Sequence, residues 1–163
     1  MMLMENKQLV NSYPQQLDYH QIIKLVPYRS PWLLIDSVVQ WDQDSIVVQK
    51  AISGADPMMA AHLPDGPSIM PGVLLIEFIG QATMLLSTLT AREPTNIQTA
   101  VLGRCKGEFI SPARIGELIT GHLSITDVIA GKSFYEGIVF AGERKVCKVS
   151  GVGAFISKGG LHE

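Results

Sequence analysis

The sequence predicts an α+β fold in which one long buried helix is enclosed by a curved antiparallel β-sheet. Three observations carry this expectation. The stretch PGVLLIEFIGQATMLLSTL, from Pro71 to about Leu89, is apolar on nearly every side, and a helix hydrophobic all round must be buried in protein or lipid. Strand-like runs rich in β-branched residues flank it, too closely spaced for the crossover helices that a parallel sheet needs. In one of them Ile119, Leu123 and Ile125 alternate with Thr120, His122 and Ser124, the period of a half-buried strand.

In chain order, Asp18 followed three residues later by Gln21 has the form of a capping box. Ile22, Leu25 and Val26 then supply the apolar face of a short helix that Pro27 stops. Strands are predicted over Leu33–Val39 and Ile46–Ile52, joined at Asp42-Gln43-Asp44 as a hairpin. Pro71 suits the first position of the long helix, where its missing N–H costs nothing. That helix should run about five turns. Lipid is the weaker environment for it, because Glu77, Gln81 and Thr83 interrupt it and it is slightly short for a span. Further strands are expected over Thr99–Ile110, Glu117–Ile129, Ser133–Phe140 and Val146–Ile156, with loops near Pro94 and Gly142.

The chain of 163 residues fits a single domain over 1–163, with about 15 flexible residues at the N-terminus. At 47% hydrophobic and 17% charged it has apolar surface to spare for a large core, an obligate subunit interface, or both. A net charge of -2 offers no basic footprint for nucleic acid. The 2 cysteines, Cys105 and Cys147, lack the spacing of a disulfide framework or a zinc site and read as buried thiols in a reducing compartment. Met1 to Val10 carries Glu5 and Lys7 with no apolar core of a secretory signal, so a cytoplasmic location is expected.

Over roughly Leu17 to Ile156 the sequence resembles the 3-hydroxyacyl-acyl carrier protein dehydratases of the FabZ type, members of the hot-dog fold superfamily. The resemblance rests on PYRSPWLLIDSV (Pro27 to Val38), HLPDGPSIMPGVLLIEFIGQAT (His62 to Thr83) and LGRCKGEFISPARIGE (Leu102 to Glu117). The middle block is the selective one: a histidine before a proline-rich loop, PGV entering the buried helix, and a glutamate followed four residues later by glutamine. What the resemblance implies is two such units paired edge to edge as a homodimer, with a trimer of dimers allowed, and active sites at the subunit interface. It further implies His62 and Glu77 as the catalytic pair and Gly72 as the glycine whose backbone N–H holds the thioester carbonyl. The expected partner is acyl carrier protein bearing a 3-hydroxyacyl thioester, in fatty-acid or polyketide-type biosynthesis, with no cofactor, no metal, no nucleic acid and no membrane. Three departures stand out: Tyr28 replaces a histidine, Ala61 replaces the glycine before His62, and the loop from His62 to Met70 is one residue longer.

The chemistry of these residue types agrees with that assignment. Removing water requires a base for the C2 proton, an acid for the departing C3 hydroxyl and donors for the enolate-like oxygen. A neutral imidazole at His62 can be the base near neutral pH. Glu77, between Ile76 and Phe78 on a helix with no other charge, is favoured in its protonated form by desolvation. The unpaired N–H groups of the first helical turn, Gly72 and Val73, face the developing oxyanion at the positive end of the helix dipole. Gln81, one turn beyond Glu77, can orient its carboxyl. The methionines, including Met58, Met59, Met70 and Met84, read as core filler with some lining a narrow apolar acyl tunnel. Arg104, Lys106, Arg114, Arg144 and Lys148 are candidates for docking an acidic carrier, whereas His20, His122 and His162 read as surface or edge residues. A hot-dog thioesterase, and a non-catalytic dehydratase-like subunit paired with an active partner, are the competing readings.

Overall fold

The computed structural model describes residues 15–91 and 99–156. The N-terminal segment expected to be flexible, the Pro94 loop and His162 lie outside them. A short helix α1 (Tyr19–Ile22) leads to strands β1 (Ser37–Trp41) and β2 (Ser45–Ala51), a second short helix α2 (Pro57–Ala60) and the long helix α3 (Gly72–Leu89). Four strands follow, β3 (Thr99–Phe109), β4 (Leu118–Ile129), β5 (Lys132–Ala141) and β6 (Arg144–Ile156). All join one 6-stranded antiparallel sheet in the order β1-β2-β4-β5-β6-β3.

The capping box forms as predicted: Asp18 Oδ1 accepts the Gln21 N–H at 2.9 Å and Gln21 Oε1 accepts the Asp18 N–H at 2.9 Å. Regular helix ends at Ile22, earlier than expected, and turns carry the chain on to Val26. In the β1–β2 hairpin, Asp42 Oδ1 accepts the amides of Asp44 (2.8 Å) and Ser45 (2.7 Å), closing the turn without glycine. Strand β1 starts at Ser37 rather than Leu33. Leu33, Leu34 and Ile35 are buried, but the Leu34 N–H goes to the side chain of Gln81 at 2.9 Å instead of to a strand ladder. Helix α2 was not foreseen; it is capped by Asp56, which accepts the Met58 N–H at 3.0 Å and meets the buried Lys50 at 3.5 Å.

Helix α3 is the core. Leu74, Leu75, Phe78, Ile79, Ala82, Leu85 and Leu86 are buried against the concave face of the sheet. By length and composition alone this helix would pass for a membrane span, yet it packs inside the sheet. Close approach depends on missing side chains opposite it. A Cβ built at Gly121 would come within 2.7 Å of Phe78 Cε1, and one at Gly137 within 2.7 Å of Ile79 Cγ2. The alternation expected in β4 is present, with Ile119, Leu123 and Ile125 buried and His122 and Ser124 exposed.

Strand β3 departs from expectation in one respect. It is the outermost strand beside β6, so Cys105 is exposed while Cys147, on the covered β6, is buried. Burial pushes the Cys147 thiol up to about 11. Leu102 (53%) and Phe109 (54%) are half exposed along β3, and Val73 (70%) lies open at the start of α3. An apolar strand edge of this kind exposes unpaired backbone groups and invites pairing with another chain.

Candidate active site

The catalytic candidates fall into two groups on one chain. His62 follows α2 directly, its amide donating to Met59 O at 3.3 Å. Its Nδ1 lies 3.1 Å from the carbonyl oxygen of Ile69. A carbonyl can only accept, so this contact assigns the proton to Nδ1 and leaves the Nε2 lone pair of the neutral ring exposed. Ile69 is itself held: it bridges Arg114, and on either side Ile115 N–H donates to Ser68 O (3.0 Å) and Met70 N–H to Ala113 O (2.8 Å).

Gly72 belongs with this group, lining one shallow pocket with Ile69, Met70 and Phe109. A Cβ at Gly72 would stand 2.9 Å from Phe109 Cε1, so a side chain there would displace the phenyl ring. Helix α3 has no side-chain cap, and the amides of Gly72 and Val73 have no partner among the described residues. They are free donors at the positive end of the helix.

Glu77 lies five residues further on, about 7.5 Å along the axis and about 140° around it, so it faces another side. Its Oε1 accepts from Trp32 Nε1 at 3.0 Å and from Gln81 Nε2 at 2.9 Å. Gln81, 1% exposed, also donates to Trp32 O at 2.8 Å and accepts the Leu34 N–H at 2.9 Å. All the bonding capacity of the amide but one oxygen lone pair is thus used in holding the carboxyl against the Trp32–Leu34 segment, which is the orienting part expected of it. Oε2 has no partner among the described residues. Sequence reasoning missed Trp32; the available signal was a half-buried helical carboxylate that needs donors, with an indole in the nearest motif.

Glu77 opens into a cavity of about 140 Å³ between α3 and strands β3, β5 and β6. Met84 lines it, but Met58, Met59 and Met70 do not. Ile76, Val101, Leu102 and Phe155 give it a largely apolar wall, in which the hydroxyl-bearing Tyr28, Thr83, Ser87, Ser133 and Tyr135 are set. Tyr28, the departure from the family pattern, has its phenol pushed up by burial and then by the neighbouring Glu77. His62 does not line this cavity and shares no hydrogen bond with Glu77.

Three of the basic candidates, Arg104, Lys106 and Lys148, line two adjoining grooves. Lys106 and Lys148 line one of them together with Glu108 and Glu136, and Arg104 and Lys106 line the other, again with Glu136. Arg144 is engaged within the chain, donating to Glu117 Oε1 (2.5 Å), Ser111 Oγ (2.7 Å) and Pro112 O (2.6 Å). The Arg114 amide donates to Glu117 Oε2 at 2.7 Å. This brace holds the loop that positions Ile69, a task unlike docking and not read from the sequence. Among the described residues no group of three His, Cys, Asp or Glu side chains is placed to hold a metal.

Residues 20–104 match the ApeP-like family model, described as ApeP dehydratase. The FabZ 3-hydroxyacyl-[acyl-carrier-protein] dehydratase of Chlamydia trachomatis serovar L2 is 33% identical over 128 residues, covering 76% of this chain and 83% of that protein. The bifunctional enzyme LpxC/FabZ of Porphyromonas gingivalis is 33% identical over 133 residues, 81% of this chain, which spans 29% of that longer protein. The solved dehydratase heterocomplex ApeI:P from Xenorhabdus doucetiae shares the fold, with a TM-score of 0.74 at 14% identity, covering 86% of this chain and 93% of that one. The hot-dog architecture and these matches together place the chain in the ApeP-like dehydratase family, as a relative of the FabZ dehydratases.

Proposed function

We propose that this chain removes water from a 3-hydroxyacyl thioester carried on acyl carrier protein, giving the trans-2-enoyl thioester, within fatty-acid or polyketide-type biosynthesis in the cytoplasm. The observation that carries the reading is the fixed carboxyl of Glu77, bonded through Oε1, unpartnered at Oε2 among the described residues, and set in the wall of a cavity. Nε2 of His62 takes the C2 proton, the C2–H electron pair becomes the C2=C3 bond, and the C3–O bond breaks. The departing oxygen takes the proton of Glu77 Oε2 and leaves as water. The Gly72 and Val73 amides hold the thioester oxygen as negative charge gathers on it.

Because His62 and Glu77 face different sides of one chain, this reading requires a second subunit. Pairing of β3 edges in a homodimer covers Leu102 and Phe109 and brings the His62 of one protomer to the Glu77 cavity of its partner; further assembly as a trimer of dimers leaves that site unchanged. A second reading, in which the same edge takes a related dehydratase-like chain, draws support from the fold shared with the ApeI:P heterocomplex.

The test incubates the purified chain with a crotonyl carrier thioester and follows loss of the enoyl chromophore and release of free thiol, alongside its size by light scattering. Hydration by a dimer is expected. Thiol release without hydration would favour a thioesterase, and an inactive monomer would move the assignment to the paired-subunit reading.

A further inference from the structure

Tyr135, on the inner face of β5, is 3% exposed, and its hydroxyl is buried with no hydrogen-bond partner among the described residues. Burying a hydroxyl without a partner costs free energy, so such a group in a native site calls for an explanation. The ring is seated over Gly151, where a Cβ would come within 2.6 Å of Tyr135 Cζ and collide with the hydroxyl itself. Its position is therefore set by the strand rather than by a polar contact. Tyr135 lines the same cavity as Glu77.

Two of the other hydroxyls there are committed, Thr83 Oγ1 donating to Ile79 O at 3.0 Å and Ser87 Oγ to Thr83 O at 2.9 Å, and among the described lining residues only the Tyr135 hydroxyl is both fully buried and unpartnered. Tyr135 is thus a free, buried donor beside the carboxyl that protonates the leaving group.

We infer that Tyr135 donates a hydrogen bond to the C3 oxygen of the substrate, which the Oε2 proton of Glu77 approaches from another direction. The assignment rests on the dehydratase reading. Tyr135 keeps its proton throughout; Glu77 transfers its own as the C3–O bond breaks, and the hydrogen bond from Tyr135 stabilises the charge that builds on the oxygen before that transfer completes. Burial, followed by the neighbouring Cys105 and Glu77, pushes this phenol up to about 12, so it remains a donor at every pH at which the enzyme would work. The consequence is selectivity for a ligand with oxygen at C3, since a site built to hydrogen-bond a hydroxyl discriminates against the analogue that lacks it.

Tyr135→Phe removes only the phenolic oxygen and leaves the ring over Gly151. Binding of a 3-hydroxyacyl carrier thioester and of the saturated acyl carrier thioester of equal length should be measured for both proteins, with turnover. The variant should bind the hydroxyacyl ligand and turn it over roughly tenfold to a hundredfold less well, and bind the saturated ligand as the wild type does. Equal weakening of both ligands, no change in either, or an effect confined to substrates carrying a second chain oxygen would overturn the assignment. Should the variant fail to fold, tyrosine labelled with carbon-13 at Cζ in His62→Ala protein provides the second measurement: one tyrosine signal should move with the hydroxyacyl ligand and stay put with the saturated one, and identical responses would count against it. Wild-type protein that performs no dehydration would instead sink the reading on which the assignment depends.

Discussion

Gln81 holds Glu77 by a 2.9 Å hydrogen bond to Oε1 while its own oxygen takes the Leu34 amide from the segment opposite. The buried glutamine therefore connects the central helix, the Trp32–Leu34 segment and the acid. Replacing Gln81 with Leu strands the Leu34 N–H and loosens the carboxyl, at a cost of about 1–3 kcal/mol. Thermal melting should drop by several degrees and turnover should fall with it. Unchanged melting would show that the Leu34 amide finds another partner.

Replacing His62 with Ala removes the base without touching α3, and Glu77→Gln removes the donatable proton while the new amide oxygen can still accept from Trp32 and Gln81. Each should lower turnover by roughly two to four orders of magnitude, the usual scale for a positioned acid or base. Melting should be nearly unaffected in both. Near-normal turnover by either folded variant would exclude that residue from the reaction.

The brace around Glu117 predicts a pH effect. The Arg114 amide, then the Arg144 guanidinium, hold the Glu117 carboxyl below its ordinary range. A carboxylate depressed in the folded state contributes stability that is present above its unfolded value and lost as the pH falls through the folded one. The melting advantage of the wild type over Glu117→Gln should thus be largest near about pH 7 and shrink toward about pH 3. A gap independent of pH would mean that packing, and not charge, stabilises this loop.

Gly137→Ala tests the seat of the helix. The new methyl group would press on Ile79, and overpacking of this kind typically costs about 1–3 kcal/mol. A clear fall in melting temperature is expected, whereas Gly80→Ala, with nothing within 4 Å of the new carbon, should melt as the wild type does or slightly higher.

Reversing the charge of Arg104 or Lys106 should raise KM for a carrier-bound substrate more than for a small thioester mimic. The nearby Glu108 and Glu136 limit the net positive field, so a modest change is expected. Equal effects on both substrates would remove these residues from carrier docking.

Much of this architecture was legible in the sequence because local signals carried it. The period of β4, the Asp18–Gln21 capping box and the predominantly apolar character of α3 each follow from short-range spacing, and the elements formed close to where those spacings put them. Gln81 beside Glu77 was legible for the same reason, since one helical turn fixes their neighbourhood. Residues whose roles depend on distant partners were not. Trp32 reaches Glu77 across 45 positions of sequence, and Arg144 reaches Glu117 across 27; no local pattern records either contact. The exposure of Cys105, the hydroxyls set in the cavity wall and the unpartnered phenol of Tyr135 likewise depend on which strand became the edge and how the sheet curves around the helix. Spacing along the chain determined the elements and the residue types at the site. Only packing decided which side chains meet, because hydrogen bonds and burial follow distance in space.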